Sequence, residues 1–451
     1  MEMFEEATEH HKARRFDEAE KLYDMLLSQN HNNAGLLATL GTLYLQTGRY
    51  GLAIHCLEHA LKKGGQQSDV LSNLSIAYKN AGQPEKALKI VEKACEIDPT
   101  AEALANHSGF FTNSGTPDKT IALCEKAIAL KPQLAVAHWN LALALLEKKE
   151  WARGWDEHDW GLSKQQGATS MRVDREIGGL PYWDGTQGKA VAVYGEQGIG
   201  DEIMFSSMLP DMAKQNTIVF ECHKRLKHLF EHSFPGLTCY GTREDNQMVW
   251  PNNHQLDYRV SIGSLGKWFR RSDDAFPGTP YLRAESSPKG EKFRVGISWT
   301  GGAKPGRIMT RSVPLSWWRS ILDNRDVEFV SLQYTDCEAD LELMEKQGYS
   351  IRQYPEIKAD DYYETAKIVK SCDLVISICT SVIHLAGALG VPCWVMVPNK
   401  PAWRYGVAGG MKWYRSVRLY RQNKDESWMP VVERVGSDLA DLLSIKKEIA
   451  A

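Results

Sequence analysis

Apolar and polar positions follow two different patterns along the chain. Up to about residue 168 the sequence indicates pairs of helices joined by short polar turns. After about residue 189, short apolar runs such as KAVAVYG, TIVFEC and FRVGISW alternate with helical segments. This alternation is typical of parallel sheets covered by helices on both faces. The pattern therefore predicts an α-helical first part and an α/β second part.

The helical part is built from a repeated unit. Small residues recur at intervals of 33 or 34 positions, as in the series Ala19, Ala53, Ala87 and the series Gly48, Gly82, Gly115. This period, with small residues where paired helices touch, resembles tetratricopeptide (TPR) repeats. We expect a solenoid of four units over residues 1–134 and an aberrant capping unit that ends near residue 168. Arrays of this kind hold polypeptides in a concave groove or serve as spacers.

Asparagine recurs at one position in the first helix of successive units. Asn73, Asn106 and Asn140 are spaced by 33 and 34 residues. If these amides face the groove, they can hydrogen-bond to the backbone of a bound polypeptide. The alternative is that they face solvent.

Composition and charge exclude several classes of protein. The 451 residues include 54 Lys and Arg against 57 Asp and Glu, so nothing favours binding to nucleic acid or to an anionic membrane. The polar start of the chain and the absence of a long apolar run argue against a signal peptide and a transmembrane helix. Nine scattered Cys without a CxxC pair suggest no zinc site and a reduced, cytoplasmic setting.

The α/β part is expected to contain two doubly wound domains in tandem. A Gly-rich linker over residues 169–188 precedes a first lobe at 189–285 and a second lobe at 286–451. Because ligands of such folds bind at the carboxyl ends of the strands, the loops that follow the strands carry the candidate chemistry.

The loop after the first strand is rich in glycine. Gly195, Gly198 and Gly200 have the spacing GxxGxG, which differs from the dinucleotide fingerprint. Glycine allows the backbone to approach a ligand, and the helix that follows offers free N–H groups. Asp201 at the start of this helix is either a helix cap or a general base.

Two loops of the second lobe have the residues expected of a phosphate site. Lys304 and Arg311 lie in a polar loop after FRVGISW. These cations either bind a diphosphate or are exposed to solvent in an ordinary basic loop. Thr380 and Ser381 begin a helix whose amino end can receive phosphate oxygens. His384, one turn later, is either a ligand contact or a buried structural imidazole.

Taken together, these segments resemble the glycosyltransferases fused to TPR arrays, which are relatives of the lipopolysaccharide heptosyltransferases. The matching segments are YGEQGIGDEIMFSSMLP, VGISWTGG with TRSVPL, FVSLQY, DLVISICTSVIHLAGALGVP, VPNKPAWRYG and the junction EWARGWDEHDW. The resemblance covers nearly the full chain. It implies a GT-B fold, a pair of Rossmann-like doubly wound domains, in which the first lobe binds the acceptor and the second the nucleotide sugar.

The resemblance also implies roles for individual residues. Asp201 corresponds to the general base of the family, and Arg311 to the cation that neutralises the leaving phosphate. The remaining expected donor and phosphate contacts are Thr380, Ser381, His384, Gly198, Gly200 and Lys304, with Trp299, Cys379 and Trp403 as possible members of the donor pocket. No metal ion and no cofactor are expected.

One position departs from the family pattern. The family reads DTSxxHLAGALG, whereas this chain has Cys379 before Thr380 and Ser381. A thiol cannot accept several hydrogen bonds as a carboxylate does, so donor choice or activity is expected to differ. A reactive Cys379 is the less favoured interpretation, since no His–Asp partner is evident.

The expected function is therefore metal-independent, inverting transfer of a sugar from a nucleotide sugar to a protein held by the TPR groove. The resemblance suggests a flagellin-like acceptor. Two alternatives stay open: a degenerate enzyme that serves as a TPR scaffold, and a transferase whose acceptor is a saccharide or is lipid-linked.

Overall fold

The computed structural model describes residues 2–65, 67–97, 99–112, 116–163, 171–245, 250–301, 311–358, 360–424 and 426–450. They form two compact units, and the chain passes from the first to the second between Leu141 and Ala142. Among these residues, no helix has both the length and the apolar character needed to cross a bilayer.

The first unit consists of helix pairs. Its helices are α1 Glu2–Lys12, α2 Phe16–Gln29, α3 Ala34–Gln46, α4 Tyr50–Lys62, α5 Gln67–Asn80, α6 Pro84–Ile97, α7 Ala101–Phe111 and α8 Pro117–Leu130. The next helix, α9 Ala135–Glu147, begins in the first unit and ends in the second. The predicted small residues lie where the helices pack, since Ala19, Ala53 and Ala87 are fully buried. Gly48 and Gly82 adopt positive φ in the turns between paired helices, as the repeat predicted. Gly115 lies outside the described residues.

The second unit contains an α-helix followed by two sheets with their helices. These elements are α10 Trp151–His158, β1 Ala190–Tyr194, α11 Ile199–Ser206, α12 Leu209–Ala213, β2 Thr217–Glu221, α13 Lys227–Ser233, β3 Thr238–Tyr240, β4 Tyr258–Ser261, α14 Gly266–Phe269, β5 Phe293–Ser298, α15 Arg319–Leu322, β6 Val327–Ser331, α16 Glu338–Lys346, β7 Ile351–Arg352, α17 Tyr362–Lys370, β8 Leu374–Ile378, α18 Ser381–Leu389, β9 Cys393–Val397, β10 Val417–Arg421 and α19 Met429–Ala450.

Both sheets are parallel. The first has the order β3-β2-β1-β4 and the second the order β10-β9-β8-β5-β6-β7. In each sheet the chain starts near the middle, adds strands on one side, and then returns to add strands on the other. This is the order of doubly wound folds, in which a crevice opens at the point where the direction reverses. That point lies beside β1 and β4 in the first sheet and beside β5 and β8 in the second.

Three features differ from the expectations. Strands β3, β4 and β10 were not expected, although β4 pairs with β1 at the reversal point of the first sheet. Helix α11 begins at Ile199, two residues before Asp201. The second unit begins at Ala142, whereas the helical part was expected to extend to residue 168.

The side chains of α10 explain why this helix belongs to the second unit. The Trp155 ring is buried, its Nε1 donates to the carbonyl oxygen of Arg270 at 2.8 Å, and it meets the edge of Trp403 at 5.8 Å between centroids. Its face lies against Gly266, where a Cβ atom would come within 2.5 Å of the ring. The predicted capping helix is thus part of the α/β core.

We predict that Gly266→Ala lowers the free energy of unfolding of the second unit by about 1–3 kcal/mol, because the added methyl group overpacks against Trp155. Urea unfolding followed by Trp fluorescence measures this unit, since every Trp except Trp139 lies in it. Gly290→Ala is the control, because no atom beyond its two chain neighbours lies within 4 Å of its Cβ position. Equal stability of the two variants would contradict the packing argument.

Candidate functional site

A cavity of about 270 Å³ lies between the carboxyl ends of the two sheets. Its walls are formed by Ile199, Gly200, Asp201, Arg225, Arg311, Tyr334, Tyr362, Cys379, Thr380, Ser381, His384, Arg404 and Tyr405. Each of these residues lies in a segment that follows the carboxyl end of a strand. The strands concerned are β1 and β2 in the first sheet and β5, β6, β7, β8 and β9 in the second.

Seven predicted site residues meet in this cavity, although they come from three distant parts of the sequence. They are Gly200, Asp201, Arg311, Cys379, Thr380, Ser381 and His384. Gly198 lies beside them as the residue that caps α11. Lys304 lies outside the described residues.

Two predicted members of the donor pocket do not line the cavity. Trp299 is fully buried in the hydrophobic core of the second lobe, where its Nε1 donates to Asp340 at 2.7 Å. Trp403 packs against Trp155 and Trp413. Both expectations are corrected for the same reason, since each Trp ring packs in the hydrophobic core. After Trp403, the next two residues, Arg404 and Tyr405, line the cavity instead.

Buried ion pairs hold the glycine-rich loop from both sides. Before the second glycine of the loop, Glu196 accepts hydrogen bonds from Arg172 and from Ser261 at the end of β4. After the loop, Glu202 accepts from Arg243 Nη1 at 2.7 Å and from the backbone N–H of His223 at 2.8 Å. Burial raises the pKa of Glu202 to about 7, against the opposing effect of Arg243. The backbone beside the cavity is therefore fixed by charge-assisted bonds.

Asp201 is not a helix cap. Gly198 occupies the cap position of α11, and Asp201 is the third residue of the helix. Its carboxylate instead receives a hydrogen bond from Arg404 Nη2, which lies after β9 in the other sheet. The acidic group that the loop presents to the cavity is thus paired with a cation from the opposite lobe.

The amino end of α18 forms the opposite wall. Thr380 occupies its cap position, but the Thr380 side chain makes no capping bond and lies 3.2 Å from Ser377 Oγ. Tyr362 donates to Ser381 Oγ at 3.0 Å. The first N–H groups of a helix have no partner within the helix, so this end favours an anionic ligand.

His384 and Cys379 are both uncharged at neutral pH. Burial lowers the pKa of His384 to about 3, and its Nδ1 lies 3.2 Å from the hydroxyl of Tyr414. Burial raises the pKa of the Cys379 thiol to about 11. A protonated thiol is a poor nucleophile, so Cys379 acts as a wall of the cavity.

Six lining residues were not identified from the sequence: Ile199, Arg225, Tyr334, Tyr362, Arg404 and Tyr405. Arg225 follows β2, where its N–H donates to His223 Nδ1 at 3.1 Å, and its guanidinium lies 5.5 Å from the Tyr362 ring centroid. The sequence signal that could have identified these lining residues is their position in segments that follow apolar strands. Which strand ends converge depends on strand order, which a single sequence does not reveal.

Positive charge dominates the cavity. Among its described lining residues, three arginines face one aspartate, and His384 is neutral. No group of His, Cys, Asp and Glu in the described part of the chain is arranged to hold a metal ion. Arginines and a helix amino end suit a ligand that carries phosphate.

The three predicted groove amides differ in their surroundings. Asn73 Nδ2 donates to Thr42 Oγ1 at 3.0 Å, and Asn140 Nδ2 donates to Ser108 Oγ at 3.0 Å. Asn140 is buried, whereas Asn106 is exposed. Two of the amides therefore join neighbouring helices of the stack, which corrects the expectation that all three face a ligand.

Comparison with known proteins locates the repeats. Residues 10–71 and residues 68–100 match two families described as tetratricopeptide repeat. The amino-terminal region carries TPR repeats. The chain as a whole is similar to protein FlbA of Caulobacter vibrioides, with 26% identity over 456 residues, 95% of this chain and 70% of the relative.

Two solved structures are similar to about a third of the chain. YrrB, described as a TPR protein with an unusual peptide-binding site, is 20% identical, with a TM-score of 0.31 over 35% of this chain and 83% of its own. MamA is 22% identical, with a TM-score of 0.30 over 35% of this chain and 82% of its own.

A larger cavity of about 950 Å³ lies at the opposite edge of the first sheet. It is bounded by the amino ends of β2 and β3, by α12 and by the segment 276–283. None of the predicted site residues lines it. Size alone therefore does not identify the candidate site, whereas the convergence of polar groups does.

We predict that Gly200→Ala lowers the free energy of unfolding by about 1–2 kcal/mol, because α11 and α18 pack closely there. A Cβ atom at this position would lie 3.0 Å from the His384 ring and 3.2 Å from Ser381 Cα. Urea unfolding measures the change. Gly198→Ala is the matched control in the same loop, because its nearest neighbour is 3.5 Å away and its φ is −92°. If both variants have wild-type stability, the contact between the helices is looser than described.

Proposed function

We propose that the α/β region is a GT-B glycosyltransferase that moves a sugar from a nucleotide-sugar donor to an acceptor. One observation carries the proposal: a single carboxylate, three arginines and a helix amino end converge where the strand ends of two parallel sheets face each other. The sequence resemblance supports it, because the motifs that resemble the heptosyltransferase-like enzymes supply most of the convergent residues.

In the proposed reaction, Asp201 accepts the proton of the acceptor hydroxyl as its oxygen attacks the anomeric carbon. The bond from that carbon to the donor phosphate breaks, with inversion, and the electron pair leaves with the phosphate. Arg311 and the amino end of α18, with Thr380 and Ser381, stabilise the charge that develops there. These groups supply the positive potential that the leaving group needs, so the proposal requires no metal ion.

A degenerate enzyme is the second candidate, and Cys379 is the observation that favours it. The position faces the cavity but carries a thiol where the family pattern has a carboxylate. In that case the TPR region would be the functional part, and the cavity would bind a nucleotide without turnover, or nothing.

We predict that the purified protein releases nucleotide from at least one of a panel of UDP, GDP, ADP and CMP sugars when an acceptor is present. Asp201→Asn should lower this rate by about 10²–10⁴-fold, since it removes the general base. Asp326→Asn is the control, because its exposed carboxylate pairs with Lys447 away from the cavity. The enzyme proposal fails if no donor is consumed, or if Asp201→Asn retains the wild-type rate.

We further propose that the TPR region binds the acceptor polypeptide. TPR arrays bind polypeptides, and tethering an acceptor raises its effective concentration at the site. The family resemblance suggests a flagellin-like protein as this acceptor. The exposed Asn106 is the predicted groove amide that remains available for such a contact.

We predict that Asn106→Ala raises the acceptor concentration needed for half-maximal transfer by roughly fivefold, the effect of one lost hydrogen bond of about 1 kcal/mol. Donor breakdown without acceptor should not change. Lys89→Ala, an exposed position on α6 in the second helix of its pair, is the control. The groove assignment is wrong if Asn106→Ala behaves like this control with the native protein acceptor.

A further inference from the structure

The base proposed for the reaction is held by a cation from the opposite lobe. Arg404 Nη2 donates to Asp201 Oδ1, and both side chains are largely buried, with 13% and 18% of their surfaces exposed. Asp201 follows β1 of the first sheet, and Arg404 follows β9 of the second. A carboxylate paired with a guanidinium is stabilised in its charged form and is a weaker base.

Arg404 is incompletely satisfied in this arrangement. Its Nε is buried and has no hydrogen-bond partner among the described residues. Burial lowers the pKa of Arg404, because a charge held away from solvent loses hydration. Its guanidinium also contacts the Trp403 ring at 5.7 Å from the centroid. One carboxylate contact thus leaves part of the donor capacity of this guanidinium unused.

A phosphate group suits this guanidinium better than one carboxylate oxygen does. Arginine binds phosphate through two parallel N–H···O bonds, and a diphosphate brings more negative charge than a carboxylate. Arg404 lines the same cavity as Arg311 and the amino end of α18. A donor that enters this cavity therefore competes with Asp201 for Arg404.

We propose that Arg404 is a phosphate ligand of the donor site that Asp201 holds in the ligand-free protein, and that donor binding draws Arg404 from the carboxylate to the phosphate. This inference rests on the proposed function. The exchange leaves Asp201 free to accept the acceptor proton only when a donor is present. It also makes donor binding precede the step that needs the base.

The exchange is tested by a double-mutant cycle on the full chain: wild type, Asp201→Asn, Arg404→Gln and the double variant. Binding of UDP, GDP, ADP, CMP and inorganic pyrophosphate is measured by calorimetry. Asp201→Asn should bind the preferred probe more tightly, by roughly five- to fiftyfold, because it releases Arg404. Arg404→Gln should bind it more weakly. In the Arg404→Gln background, Asp201→Asn should change affinity by less than about twofold.

Simple charge repulsion gives a different result. If Asp201 only repels the phosphate, Asp201→Asn tightens binding equally with Arg404 or Gln at position 404, and the exchange is overturned. It is also overturned if Asp201→Asn weakens binding. Absence of binding to wild type and all variants overturns the donor site itself, whereas binding with an additive cycle overturns the exchange alone.

A charge-preserving variant separates the loss of the cation from a loss of the fold. Arg404→Lys retains a cation beside Asp201, so Asp201→Asn should again tighten binding in this background, by at least about threefold. Urea unfolding followed by Trp fluorescence checks that each variant is folded. A folded Arg404→Lys protein in which Asp201→Asn has no effect contradicts the proposal.

Discussion

The site depends on the close approach of two helix amino ends, α11 from the first sheet and α18 from the second. Gly200 makes this possible, because a Cβ atom there would lie 3.2 Å from the backbone of Ser381. The contact brings Asp201 and the amino end of α18 to one cavity. If the helices were separated by another side chain, the acid and the cations would face each other across solvent, where their interaction is weak.

Buried polar pairs extend this constraint into the first lobe. Glu196 with Arg172, and Glu202 with Arg243, fix the two ends of the glycine-rich loop. Such pairs cost desolvation free energy, but removing one partner leaves an uncompensated buried charge, so the loop is held in one position. In contrast, the cavity side of the loop carries a charge pair that a ligand can reach. The proposed transferase would need both a fixed loop and a charge pair that its ligand can reach.

Sequence patterns predicted those elements whose signal is local. The period of 34 located the helix pairs, and apolar runs located β1, β5 and β8 together with the loops that follow them. Strand β4 was missed because it is short and its neighbours are irregular, and Trp299 was misplaced because its position at a strand end does not reveal which face it occupies. Arg404 could not be paired with Asp201 in advance, because their contact across 203 positions depends on the packing of two sheets.

The central claim is that the small cavity between the strand ends is a nucleotide-sugar donor site. The most direct measurement is the crystal structure of the full chain with its preferred nucleoside phosphate. The account predicts phosphate oxygens at the amino end of α18, in contact with Arg311 and with Arg404 displaced from Asp201. Phosphates in the wide cavity beside α12, or a bound nucleotide that leaves the Asp201–Arg404 pair unchanged, would contradict it.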